Sequence, residues 1–193
     1  MREPSQSCAP FTLAGLLFLG AAPAALGCGF HPSMEVDLES MYPGSFPVAV
    51  ALRKAADSGV IEAAALEAPG KSTALYDNTV HRLQDFRMTL AASPAAADLP
   101  ASFSLGYVES HLWTRYSQSG GKVGVYTHTE GPVEGEAVVL TGEPVVTELL
   151  AGRLSVERAL TEGMILIDGS ESDKTAIRRV FVAMSAAPKI SSR

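Results

Sequence analysis

The spacing of the apolar residues switches near residue 100 from helical to alternating, and that change constrains the fold more than any other feature. From Ser72 to about Ala92, residues Tyr76, Val80, Leu83, Phe86 or Arg87, and Leu90 recur at helical spacing, while His81, Arg82, Gln84 and Asp85 fall mostly on other faces. Ser93-Pro94 and the loop to Pro100 end that pattern. From Phe103 the period is two: Phe103, Leu105 and Tyr107 are expected to point one way, and Val108, Leu112 and Tyr116 the other. Gly120-Gly121, inside Ser117 to Lys122, signals a hairpin whose return strand is Val123 to Thr129. A third strand, Ala137 to Leu140, follows the loop Glu130 to Glu136.

Helical spacing then returns. A helix is expected from Pro144 to Ala151, closed by Gly152, and a short one capped by Ser155 and stopped by Gly163. Met164 to Asp168 reads as a buried strand, and Asp173 as the cap of a last helix carrying Ile177, Val180, Phe181 and Met184. Upstream, Ser45 is expected to cap a helix through Asp57 with Pro47 in its first turn and Val48, Leu52 and Ala55 or Ala56 as its stripe. The Ala-rich stretch Ile61 to Ala68 continues helically until Pro69-Gly70. This order predicts an α+β domain with a mainly antiparallel sheet covered by helices on one face.

Composition removes several function classes. With 15 Lys+Arg against 21 Asp+Glu, the formal net charge is −6 and no basic run exists. The counterion-release term that dominates nucleic-acid affinity is therefore missing, as is attraction to anionic lipid headgroups. Two cysteines cannot build a multi-bridge framework or a four-thiolate zinc site. GxSxG, HExxH, P-loop and GxGxxG motifs are absent, so no catalytic residue and no cofactor are assigned. The acidic pairs Glu134/Glu136 and Glu171/Asp173 lie in Gly- and Ser-rich loops, where solvated charge is the ordinary role.

The N-terminus predicts export. Phe11 to Leu26 is an apolar run with Arg2 before it and small residues after it, the pattern of a signal peptide over residues 1–27. Two cleavage sites compete, Ala22-Pro23-Ala24 and Ala25-Leu26-Gly27-Cys28, and the second is similar to the lipobox of bacterial lipoproteins. Lipidation would account for Cys28, otherwise a lone thiol in an exported chain. The expected location is the bacterial periplasm or outer envelope, anchored through Cys28. Its pairing with His31 as C-x-x-H offers too few ligands for a metal. Residues 28–44 read as a tether or packing arm and 45–193 as one domain.

The stretch 103–184 resembles the sterol-carrier-protein-2-like (SCP2-like) domains. The resemblance is carried by Thr141-Gly142-Glu143-Pro144, Leu149-Leu150, Gly152, Leu154, Ala159-Leu160, Gly163, Ile165, Ile167 and Gly169. It implies an apolar-ligand or lipid cavity between sheet and helices, without a shared catalytic set. The export signal and the C-terminal Ser191-Ser192-Arg193 depart from peroxisomal members.

The candidate ligand-binding residues form two groups. If the hairpin loop has an even length, His111, Trp113 and Arg115 share a sheet face with Tyr126 and His128, and Leu112, Thr114 and Tyr116 share the other with Val123 and Val125. The first face suits stacking on an aromatic or anionic ligand, a two-His metal site completed by Glu109 or Glu130, or plain cross-strand packing. Tyr76 and Leu83, with Leu90, either line a cavity or belong to the ordinary helix core. Three functions follow: a non-catalytic envelope protein binding an apolar or amphipathic molecule, an accessory lipoprotein docking a membrane complex through the His111/Trp113/Arg115 face, or a metal-dependent envelope enzyme.

Overall fold

The computed structural model describes residues 41–63 and 73–185. The expected export segment, Cys28, most of the 28–44 arm and the continuation of the Ala-rich helix through Ala68 lie outside the described residues. Helix α1 spans Ser45–Asp57 and α2 spans Thr73–Ala92. Four strands follow, β1 Ser102–Tyr107, β2 Leu112–Ser119, β3 Lys122–Thr129 and β4 Ala137–Thr141. Then come α3 Glu143–Ala151, α4 Val156–Thr161, β5 Leu166–Asp168 and α5 Glu171–Ser185. The sheet order is β3-β2-β1-β4-β5, with β1 and β4 parallel and every other neighbouring pair antiparallel. The fold is α+β with a mainly antiparallel sheet. No helix among the described residues is long and apolar enough to cross a membrane.

Where one long alternating run was expected from Phe103 to Tyr116, the chain turns back at residues 108–111. Strands β1 and β2 pair across that turn, with Tyr107 opposite Leu112 and Phe103 opposite Tyr116. Leu112 and Tyr116 therefore share the face of Phe103 and Tyr107 rather than the opposite one. His111 takes a left-handed φ of 52° at the last turn position, which usually goes to Gly or Asn. No such residue marks this turn in the sequence.

That shared face carries the aromatic core. Phe103 stacks on Tyr116 at 5.1 Å, and Phe86 of α2 meets Tyr116 edge-on at 5.7 Å and Phe181 of α5 at 5.5 Å. Edge-to-face contacts of this kind contribute beyond their buried area. The Tyr116 hydroxyl donates to the Leu83 carbonyl at 3.1 Å, which ties α2 to β2. Leu83, Phe86 and Leu90 are buried as the helical stripe requires, whereas Tyr76 stands 38% exposed.

Helix ends follow local chemistry with two corrections. The expected cap Ser45 is itself the first helical residue and is fully buried, with Gly44 at the cap position and no side-chain cap bond. The expected cap Asp173 lies inside α5. The Ser170 hydroxyl accepts from the Asp173 N–H at 3.1 Å and donates to its carboxylate at 2.7 Å, so the helix opens three residues earlier. Ser155 caps α4 as expected, accepting from the Arg158 N–H.

Met41, Tyr42 and α1 add cover on the opposite face over β1, β4 and β5. Tyr42 meets Trp113 edge-on at 6.1 Å and its hydroxyl donates to Asp168 at 2.9 Å. Burial, together with the Asp168 carboxylate, pushes its pKa up to about 12. Gly106 is what lets these groups close on the sheet, because a Cβ there would lie 2.8 Å from Trp113 Cζ3 and 2.9 Å from Met41 Cε. Gly106→Val is expected to lose about 2 kcal/mol in chemical denaturation through overpacking, and Trp113→Leu in the same chain to recover part of it.

Candidate functional site

Local turn chemistry decides which side chains meet. Gly120 and Gly121 adopt left-handed φ values of 55° and 77°, and Ser119 pairs with Lys122 across a two-residue loop. The even loop sets the expected parity for most of the hairpin: Arg115 faces Tyr126, Tyr116 faces Val125 and Thr114 faces Thr127. Between Trp113 and Thr114 the register shifts, so that Trp113 faces Thr129 and His128 is the additional residue, with a φ of 61°.

The bulge breaks up the expected five-residue face. It turns His128 toward α2, where its imidazole meets the Tyr76 ring edge-on at 4.7 Å. His111 stands exposed at the end of the turn before β2. Trp113 is buried against Tyr42 and Gly106. Arg115 and Tyr126 remain neighbours, but the Arg115 guanidinium is held by Glu136 at 3.1 Å and by the Gly131 carbonyl at 3.2 Å. Burial raises the Glu136 carboxyl, and hydrogen bonds from Ser102, Ser104, Val133 N–H and Arg115 outweigh that and bring it below its ordinary value. Among the described residues no three His, Cys, Asp or Glu side chains converge to hold a metal, so the alternative of a His111/His128 site completed by Glu109 or Glu130 does not form there. Leu83 is part of the closed core.

A different constellation forms where β1 and β3 end, β2 begins and β4 runs into α3. Leu105 pairs with Thr114, so Tyr107 and Thr114 are diagonal neighbours on the face toward α2, with Thr127 and then His128 beyond them. Of the seven buried side-chain polar atoms without a hydrogen-bond partner among the described residues, six lie here: Tyr107 Oη, Glu109 Oε2, Ser110 Oγ, Thr114 Oγ1, His128 Nε2 and Thr129 Oγ1. Buried polar groups are normally paired, because each unpaired one costs on the order of 1–3 kcal/mol. Six such atoms gather at one end of a sheet whose middle is aromatic and closed, with Tyr107 and Thr114 on the α2 face and Thr129 paired with Trp113 on the other.

The charged groups on the rim of this site bond to one another. Thr79 of α2 donates to Glu143 Oε2 at 2.8 Å, and Arg82, one turn on, forms an ion pair with the same carboxylate. The Glu143 N–H, at the start of α3, donates to the Glu109 carboxylate. Gly142 gives Glu109 room, since a Cβ there would stand 3.3 Å from Glu109 Oε2 and 2.8 Å from Leu52 Cδ1.

Burial moves the titrations of these groups toward their neutral forms. It pushes the Glu109 carboxyl up to about 7, against the two backbone N–H groups that stabilise its anion, and the Glu143 charge pushes the same way. Burial, with the Glu143 and Glu109 charges adding to it, holds the Tyr107 phenol well above its ordinary value. It also lowers the His128 imidazole. Tyr107 and His128 are thus neutral hydrogen-bonding groups at neutral pH, whereas Glu109 changes charge there.

Of the residues expected to bind ligand, the structure brings Tyr76 and His128 together at this site. Sequence reading missed Tyr107, Thr114, Thr79, Arg82 and Glu143, and met Glu109 only as a metal ligand. Once the turn at 108–111 is recognised, the signal is a tyrosine and a threonine on an otherwise apolar strand face.

No family profile matches the chain, and no curated protein matches it in sequence. Among solved structures, it is similar to a crystal structure of sterol carrier protein 2, at 18% identity over 56% of this chain and 96% of that one, with a TM-score of 0.39. It is similar to the ubiquinone synthesis protein UbiJ-SCP2, at 16% identity over 56% of this chain and 92% of that one, with a TM-score of 0.40. It is also similar to the stereoselective inverting sec-alkylsulfatase Pisa1 from Pseudomonas sp., at 14% identity, with a TM-score of 0.39. That match covers 51% of this chain, which spans only 15% of the alkylsulfatase.

Proposed function

We propose that this chain is a non-catalytic binding protein for an amphipathic, lipid-like small molecule. In this reading the molecule's polar end meets Tyr107, Thr114 and His128 at the end of the layer between α2 and the sheet, and its apolar part lies outside the closed aromatic core, beside the exposed Tyr76. The observation that carries the reading is the cluster of buried, unpartnered polar atoms at the end of an apolar layer. The SCP2-like pattern of small and apolar residues over 103–184 supports the ligand class. Placement in the cell envelope through an N-terminal export signal and Cys28 belongs to the same proposal and rests on the Phe11 to Leu26 run.

The test is displacement of a fluorescent acyl probe from the full chain, compared with the Tyr107→Phe/Thr114→Val variant. Saturable micromolar binding is expected, weakened roughly tenfold in the variant by loss of the hydroxyls that meet the ligand. The same variant is expected to unfold at a higher denaturant concentration, since it removes two buried polar atoms that have no partner. Absence of binding by any amphiphile at micromolar concentration would contradict the proposal.

A further inference from the structure

Resting on that reading, we infer that the polar end of the bound molecule is an uncharged hydroxyl, and that the site rejects anionic head groups. Two features near the site could have held an anion, and the chain has occupied both with its own carboxylates. Arg82, the cation on the described rim, is paired with Glu143. The start of α3 offers a single outward backbone N–H, because Pro144 has none and the Val145 and Val146 N–H groups donate to the Gly142 carbonyl, and that one, on Glu143, already donates to Glu109. An incoming carboxylate, sulfate or phosphate would meet Glu109 and Glu143 with Arg82, the cation on the described rim, already paired, after losing its own hydration.

The groups that remain unpaired match a hydroxyl. The Tyr107 and Thr114 hydroxyls each donate and accept, and a neutral His128 ring offers Nε2 as either donor or acceptor according to its tautomer. A ligand hydroxyl donates once and accepts twice, so it can satisfy neighbouring members of this row together. Glu109 Oε2 adds an acceptor beside them.

The experiment titrates the full chain at about pH 8, above the Glu109 titration, with two probes of equal chain length, pyrene-labelled decanol and pyrene-labelled decanoate. Decanol is expected to bind at least ~10-fold more tightly. In Glu109→Gln, which removes the carboxylate and keeps an acceptor for the Glu143 N–H, the two affinities are expected to converge to within about threefold. Decanoate binding as tightly as decanol to the unaltered chain overturns the inference and leaves the carrier reading standing. A preference for decanol that is unchanged in Glu109→Gln overturns the role given to Glu109. Failure of both probes to bind overturns the inference and the carrier reading together.

Discussion

Phe86→Ala is expected to destabilise the chain by about 3–5 kcal/mol, the largest effect of any single truncation proposed for this molecule. Phe86 is 1% exposed and joins three elements, because its ring meets Tyr116 of β2 at 5.7 Å and Phe181 of α5 at 5.5 Å from its place on α2. Removing the ring leaves a cavity that rigid neighbours cannot fill, since Tyr116 is held on one side by Phe103 and at its hydroxyl by the Leu83 carbonyl. Met88, two residues along and 41% exposed, is the control: Met88→Ala should stay within about 0.5 kcal/mol. Urea denaturation of the three proteins measures the difference. A loss below about 1 kcal/mol for Phe86→Ala would mean that α2 is not packed on this face.

Glu109→Gln is expected to stabilise the chain above neutrality and to change little in acid. The Glu109 carboxyl titrates at about 7 in the folded chain against 4.5 for the unperturbed group, chiefly because of burial. Between those values the folded state holds a proton that the unfolded state has released. Stability from this group is therefore full below the unfolded pKa, declines as pH rises from 4.5 to 7, and stays low above that. The decline amounts to about 3 kcal/mol. Glutamine does not titrate, so the gap between variant and parent should open across this window and reach its full size near pH 8. Denaturation midpoints at several pH values give the difference curve. A gap that opened toward acid would mean that the Glu109 anion is stabilised in the folded chain.

The legible parts of the fold are those that local patterns specify. Helix α2 is readable because Leu83, Phe86 and Leu90 sit one turn apart, and the β2–β3 hairpin because Gly120-Gly121 suits a two-residue turn. The turn at 108–111 is hidden because Val-Glu-Ser-His contains no Gly, Pro, Asn or Asp, and His111 pays the strain of a left-handed φ without Gly or Asn to advertise it. Missing it reverses the faces of Leu112 and Tyr116 and conceals that Tyr107 and Thr114 are neighbours. The bulge at His128 is hidden for the same reason, and it moves an imidazole from the outer face to the α2 side. The Glu109, Glu143 and Arg82 chain joins a turn, a helix start and a second helix. Its members are 61 and 34 residues apart in sequence, so only the assembled sheet brings them together.

The claim that a ligand's polar end occupies the row under α2 is tested most directly by locating the bound molecule. An amide chemical-shift titration of the isotope-labelled full chain with decanol reports this residue by residue. The expected result is saturable shifts at Tyr76, Thr79, Tyr107, Thr114, His128 and Glu143, with Ser117, Gly124 and Tyr126 on the far face unmoved. Shifts confined to Arg115, Ser117, Gly124 and Tyr126 would contradict it and make the outer sheet face the working surface.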